Sequence, residues 1–195
     1  MNAKTEQKEK SHQEILESAS RLVREKGISG ARVADVMQGA DLTVGGFYAH
    51  FSSKDELVDE ALRRTGAGLR ESLFKQIEEK PESARAEVIL KRYLSAAHRD
   101  ALTLGCPFPA VVGEIGTSAP EHSDVLGEQI QALASRLAKL LPAGSRLMAI
   151  GLVALMYGGL SLSRALKGSD LSDEVLRACR MLGAAAIRTA QGERS

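Results

Sequence analysis

The chain has 195 residues, with 26 Lys and Arg against 25 Asp and Glu and a formal net charge of +1. That balance excludes the strongly basic footprint of a protein that holds nucleic acid by bulk charge. With 44% hydrophobic residues, 4% aromatics and no Trp, the chain can build an aliphatic core and shows no low-complexity segment. Two cysteines, Cys106 and Cys179, far apart in the chain, suggest neither a disulfide framework nor a metal site. The polar N-terminus lacks the apolar run of a secretory signal, so a reducing cytoplasm is the expected compartment.

Residues 1–10 are expected to form a flexible tail. Ile15, Ala19, Leu22 and Val23 then follow the spacing of one helix face, and Gly27 stops that helix. Val33, Val36, Met37 and Ala40 form a second apolar face, with Asp41-Leu42 as the turn that follows. The stretch DLTVGGFYAHFSSKDEL, Asp41 to Leu57, comes next. Thr43 is a candidate N-cap, and Val44 to Phe51 give barely two helical turns. Gly45 and Gly46 sit inside them, each about 1 kcal/mol worse than alanine in a helix. Their missing Cβ atoms let another surface approach the backbone. Phe47 and Phe51 anchor one face and Tyr48 lies on another. Ser53 to Glu56 makes a capping box ahead of Leu57, Val58, Ala61 and Leu62. Helix, short turn and short second helix is the helix-turn-helix plan, whose second member enters the major groove. Residues 1–55 carry eight Lys/Arg and eight Asp/Glu, so any positive surface there comes from arrangement.

Residues from about Ser11 to Leu62 resemble the DNA-binding domain of the TetR family of transcriptional regulators. Gly27, Val33, Val36, Thr43, Gly45, Phe47, Tyr48, His50, Phe51, Lys54 and Leu57 carry the likeness, and the run FYAHFSSKDEL is specific to that family. The resemblance implies that Thr43, Tyr48, His50 and Lys54 touch phosphates and that Val44, Gly45, Gly46 and Ala49 face bases. Arg32 and Val33, opening the preceding helix, complete the implied DNA-binding set. The family often has other residues where Arg32, Asp41, Val44 and Gly46 stand, which leaves the operator sequence unread.

Beyond Leu62 a long helix is expected from Ser53 through Leu69 and Leu73, ending before Pro81. Val88, Ile89, Tyr93, Leu94 and Ala97 mark another, with Arg85, Lys91 and Arg92 toward solvent. Gly105 to Pro109 is a rigid break before the apolar piece Ala110 to Ile115, and Gly116 to Pro120 is a loop. Val125, Ile130, Leu133, Leu137, Leu140 and Leu141 define a helix closed by residues 142–144. From Leu147 to Ser163 there is no charge. That length is the lower limit for a bilayer span, and a helix buried on both sides is the better reading. Ser169 or Ser172 caps the last helix, whose apolar set is Val175, Leu176, Cys179, Leu182, Gly183, Ala186 and Ile187. Two such small-residue helices suit a symmetric four-helix dimer interface, with Ala154, Gly158, Leu182 and Ala186 facing the partner. His12, His98 and His122 show no ligand or base spacing and are expected to be solvated. Arg164 and Lys167 are expected to cap a helix end.

The chain is therefore read as all-α, with a helix-turn-helix DNA-binding domain over residues 1–55 and a larger ligand-binding and dimerisation domain over residues 56–195. Its expected role is a DNA-binding repressor that binds double-stranded operator DNA as a homodimer and is released by a small, largely apolar inducer. Tyr93, Phe108 and Tyr157 are expected to line the ligand cavity with Cys106 near its mouth. Cys106 also supports an alternative, a thiol sensor of electrophiles, since similar family members carry a Gly-Cys pair there. Another class, a helical interaction module with a vestigial helix-turn-helix, stays open because the head is near neutral. No catalytic constellation, phosphate loop, cofactor, metal or membrane site is expected.

Overall fold

The computed structural model describes residues 3–101, 105–142 and 145–192, and the described residues form helices without a strand. Part of the expected closure at 142–144 lies outside them. The chain divides into two compact bodies, residues 1–67 with 106–126, and residues 68–105 with 127–195. The body holding the helix-turn-helix thus extends past residue 55 and recruits a distant segment.

In the first body, α1 spans Ala3–Gly30 and is broken at Gly27, where φ is 73°. The expected tail is helical from Ala3 onward. Ile15, Leu16, Ala19, Leu22 and Val23 are buried, as their spacing requires. The break at Gly27 leaves the next amide hydrogens without helical acceptors. Glu114, on α6 (Phe108–Thr117), accepts from Ile28 N at 2.9 Å and Ser29 N at 2.8 Å. A Cβ on residue 27 would lie 1.9 Å from Glu114 Oε1, so only glycine meets both the backbone angle and the close approach. Val111 and Ile115 bury the same helix.

The second body is built around α8 (Arg146–Ala165) and α9 (Asp170–Ala190). They are joined by a reciprocal pair in which Ser163 Oγ donates to Ser172 O (2.9 Å) and Ser172 Oγ donates to Ser163 O (2.7 Å). Ser169 takes the N-cap position of α9 without a side-chain cap bond. The expected helix from Val88 to Ala97 is two pieces, α4 (Arg85–Tyr93) and α5 (Ala96–Asp100), because Ser95 opens a new cap on His98 N. Arg92 is half-buried rather than free in solvent. Its guanidinium donates to Leu73 O and Lys75 O, closing the end of α3 (Lys54–Phe74). Arg85 likewise donates to Lys80 O and Glu78 O. Arg164 donates to the carbonyls of His98 and Arg99 and so caps α5, a helix other than its own, while Lys167 instead pairs with the Asp100 carboxylate. α7 covers Ser123–Ala138.

Glu114 also sets a pH dependence. Burial opposes its charged form, but the hydrogen bonds from Ser29 and Ile28, helped by Lys54, hold its carboxyl below the usual range. A carboxylate depressed on folding contributes stability above its unfolded pKa and loses it as pH falls through the folded value. Glu114→Ala should therefore cost more stability at neutral pH than below the carboxylate range, read as urea midpoints. Gly27→Ala should lose roughly 1–3 kcal/mol through left-handed strain and overlap with Glu114; an unchanged midpoint would contradict this account.

Candidate nucleic-acid interface

α2 (Val33–Gly39) ends in a left-handed Asp41, φ 56°. Leu42 N donates to Met37 O (2.9 Å) and Asp41 N to Gln38 O (3.1 Å), the paired bonds of a Schellman closure. Asp is one of the few side chains that tolerates this conformation, which explains why it can stand where glycine is common. The turn delivers the chain to Thr43, whose backbone is extended and whose side chain makes no cap bond. Val44–Ala49 is a single 3₁₀ segment, shorter and tighter than the two α-turns expected. Two glycines and six residues are too little to propagate an α-helix.

Its anchor is as expected. Phe47 and Phe51 are buried and stacked at 5.8 Å, with His12 stacked on Phe51 at 4.6 Å. The opposite side is bare. Tyr48 is 77% exposed and Val44 51%, and Thr43, Gly45 and Ala49 are exposed. A Cβ built on Gly45 meets nothing within 4 Å, and one on Gly46 meets nothing closer than 3.9 Å. The fold itself therefore does not demand glycine at either place; an approaching external surface would. Arg32 is exposed at the N-cap of α2 and Val33 is half-buried beside it.

Behind this surface, Ser53 Oγ accepts from Glu56 N (3.1 Å), and Glu56 reaches back to Ser52 N (2.6 Å), one residue earlier than a standard capping box. Lys54 is already engaged, donating from Nζ to Ile28 O at 2.8 Å. It ties the start of α3 to the broken end of α1. His50 is half-buried, and its Nδ1 makes no hydrogen bond among the described residues. Burial, then His12 and Lys8, push its imidazole below the ordinary value.

The sequence of this segment decides its kinship. The sequence model of the family described as "Bacterial regulatory proteins, tetR family" matches residues 15–61. Over residues 15–61, therefore, this chain is similar to the TetR family. The HTH-type transcriptional repressor KstR2 of Mycobacterium tuberculosis (strain H37Rv) is 44% identical over 50 residues, 26% of this chain and 25% of that protein. KstR2 of Rhodococcus jostii is 38% identical over 61 residues, 31% of this chain and 28% of its own length. The matches thus span about a quarter of these relatives. Over nearly the whole chain the likeness is one of fold. A TetR regulator from Chloroflexus aurantiacus superposes with a TM-score of 0.78 at 21% identity, covering 93% of this chain and 96% of that one. One from Cytophaga hutchinsonii gives 0.75 at 21%, with the same coverage.

The other expected site residues fall in both bodies. Tyr93 and Tyr157, in the second, are buried and stacked at 6.0 Å. Cys106 and Phe108, in the first, are fully buried. Cys106 lies in the electrostatic neighbourhood of Arg24. The three histidines are not solvated as expected. His12 Nε2 meets Glu60 (2.9 Å), His98 Nδ1 meets Tyr93 O (2.7 Å), and His122 Nδ1 meets Asp59 (2.7 Å).

Lys54→Ala should destabilise the TetR-type head by roughly 1–2 kcal/mol, since it removes a charge-assisted bond to a carbonyl; urea unfolding reads this out. Gly45→Ala should leave the melting temperature equal or higher while weakening specific duplex binding at least tenfold. Full retention of affinity in Gly45→Ala would show that no surface approaches there.

Proposed function

We propose that this protein is a TetR-type transcriptional repressor that grips operator DNA through the Val44–Ala49 segment as a homodimer and releases it when a small apolar molecule binds. The observation that carries the reading is the bare face of that segment, with Tyr48 and Val44 exposed and Gly45 open, on a rigid phenylalanine anchor. An exposed tyrosine edge and two side-chain-free positions serve neither the core nor stability. They suit a reading element pressed against a groove floor, with Thr43, Tyr48 and His50 toward phosphates and Val44, Gly45, Gly46 and Ala49 toward base edges. The charge balance of the head implies few phosphate contacts and a shallow salt dependence.

Dimerisation is supported by a second apolar face. On α8, Leu147 (83% exposed) and Leu162 are bare, and Gly151, Ala154 and Gly158 between them are exposed. On α9, Leu171 and Leu182 (58% exposed) continue it through Ala178 and Ala185. Ala186 is only half-buried. α8 is long and apolar enough to cross a membrane, with mean hydropathy 1.5 over its best window and 44% of that window buried. Its buried side, Leu152, Val153, Met156, Tyr157 and Leu160, packs as a core helix does, and a second copy covers its small-residue side. Such a pair holds two reading segments at the spacing of two half-sites.

Release by a ligand requires that the ligand favour a state in which that spacing is wrong. α3 is the covalent link between the reading segment and the body that holds the Tyr93–Tyr157 stack, which makes it the lever in this reading. The full burial of Cys106 favours reversible ligand binding over thiol chemistry, because an electrophile cannot reach a thiol closed off from solvent.

A gel shift with the DNA flanking the protein's own gene tests the reading. A discrete complex resistant to competitor DNA is expected, and binding indistinguishable from random duplex would refute it. Leu182→Glu should give a folded monomer by sedimentation, with operator affinity reduced at least a hundredfold; a Leu182→Glu dimer would move the interface elsewhere.

A further inference from the structure

Asp55 and Asp59 stand four apart on the opening turns of α3, so their carboxylates share a face. Glu121 and His122 lie on the Pro120–His122 turn that follows α6. The fold brings these four together within the first body. His122 is 1% exposed. Its Nδ1 sits 2.7 Å from Asp59 Oδ1, and a carboxylate there fixes the proton on Nδ1. The lone pair is then left on Nε2, an atom that is buried and has no hydrogen-bond partner among the described residues. The nearest anion to it, Glu121 Oε1, is 3.9 Å away, beyond hydrogen-bond range. Asp55, Glu121 and His122 each offer one ligand atom, and all three atoms lie within 4.8 Å of one another.

Two protein-only readings fail to satisfy this group. A neutral imidazole leaves a buried acceptor unmet, and an imidazolium leaves a buried N–H pointing at an oxygen too distant to accept it. Either carries the desolvation penalty of an unmet buried polar atom. A cation meets both needs, taking the Nε2 lone pair and relieving the repulsion between the Asp55 and Glu121 carboxylates. We propose that His122, Glu121 and Asp55 form a binding site for a divalent transition metal, zinc being the best fit, with Asp59 as the positioning carboxylate behind the imidazole. The imidazole nitrogen selects zinc over magnesium or calcium, which prefer all-oxygen sets. The carboxylate–histidine–metal order is the usual arrangement behind a ligating histidine. In tetrahedral zinc the ligand atoms stand about 3.4 Å apart, so the two exposed carboxylates close in by roughly 1 Å. A bound ion would cross-link the start of α3 to the turn after α6. The sequence hides the site because its partners are 63 positions apart.

The test uses tag-free, full-length protein stripped with chelator and titrated calorimetrically with zinc chloride, with cobalt as a spectroscopic probe. One zinc per chain is expected, with a cobalt absorption band of low-symmetry coordination, a rise in melting temperature and no competition from magnesium. The double variant Asp55→Asn/Glu121→Gln alters exposed side chains only and should fold normally while binding zinc at least a hundredfold more weakly. Asp59→Asn should keep the stoichiometry and weaken binding 10- to 100-fold. Absence of stoichiometric zinc binding in the wild type, or unchanged binding in the double variant, would overturn the proposal. Neither result depends on DNA, so the repressor reading stands or falls separately.

Discussion

A positive φ at residue 27 leaves two amide hydrogens at the end of α1 without helical acceptors, and two side chains from elsewhere in the first body tie this end down. Glu114 accepts from the amides of Ile28 and Ser29, and Lys54 donates to the carbonyl of Ile28. The broken helix end thus becomes the point at which α1, α3 and α6 are stitched together. Remove the glycine and neither the angle nor the room for Glu114 remains. The 3₁₀ reading segment is too short to hold itself, so its placement rests on what lies on either side of it. Before it comes the Schellman closure at Asp41; after it comes the α3 start that Lys54 fixes.

This arrangement also assigns different work to neighbouring residues of one motif. Phe47 and Phe51 are the root of the segment, and Tyr48 is its exposed edge. Lys54, grouped by resemblance with the phosphate contacts, is a strut in the free protein. A protonated amine has three donors, so a strut bond to Ile28 leaves capacity for a phosphate as well.

The position and anchor of the Val44–Ala49 segment are legible in the sequence because their signals are local. Adjacent glycines, a Phe-x-x-x-Phe anchor and a capping box all act within a few residues. The end of α3 before Pro81 and the exposed small-residue face of α8 are legible for the same reason, since helical period and composition mark them. What hides is everything made by distance. Glu114 lies 86 positions from Ile28, and nothing in an apolar stretch of α6 announces a carboxylate that closes another helix. Arg92 resembles a solvent residue by period, yet it closes the end of α3. His122 looks isolated because its partners sit on another helix. The helical type of the reading segment also escapes, because six residues with two glycines leave α and 3₁₀ turns nearly equal until neighbours decide.

The central claim, that Val44 to His50 with Arg32 and Val33 form the DNA-contacting face, is tested most directly by hydrogen exchange of the full chain with and without its operator duplex. The account predicts slowed exchange at the amides of residues 44–50 and at the start of α2, with the exposed stretch of α1 before Ser11 unchanged. Operator binding without protection at residues 44–50 would contradict it.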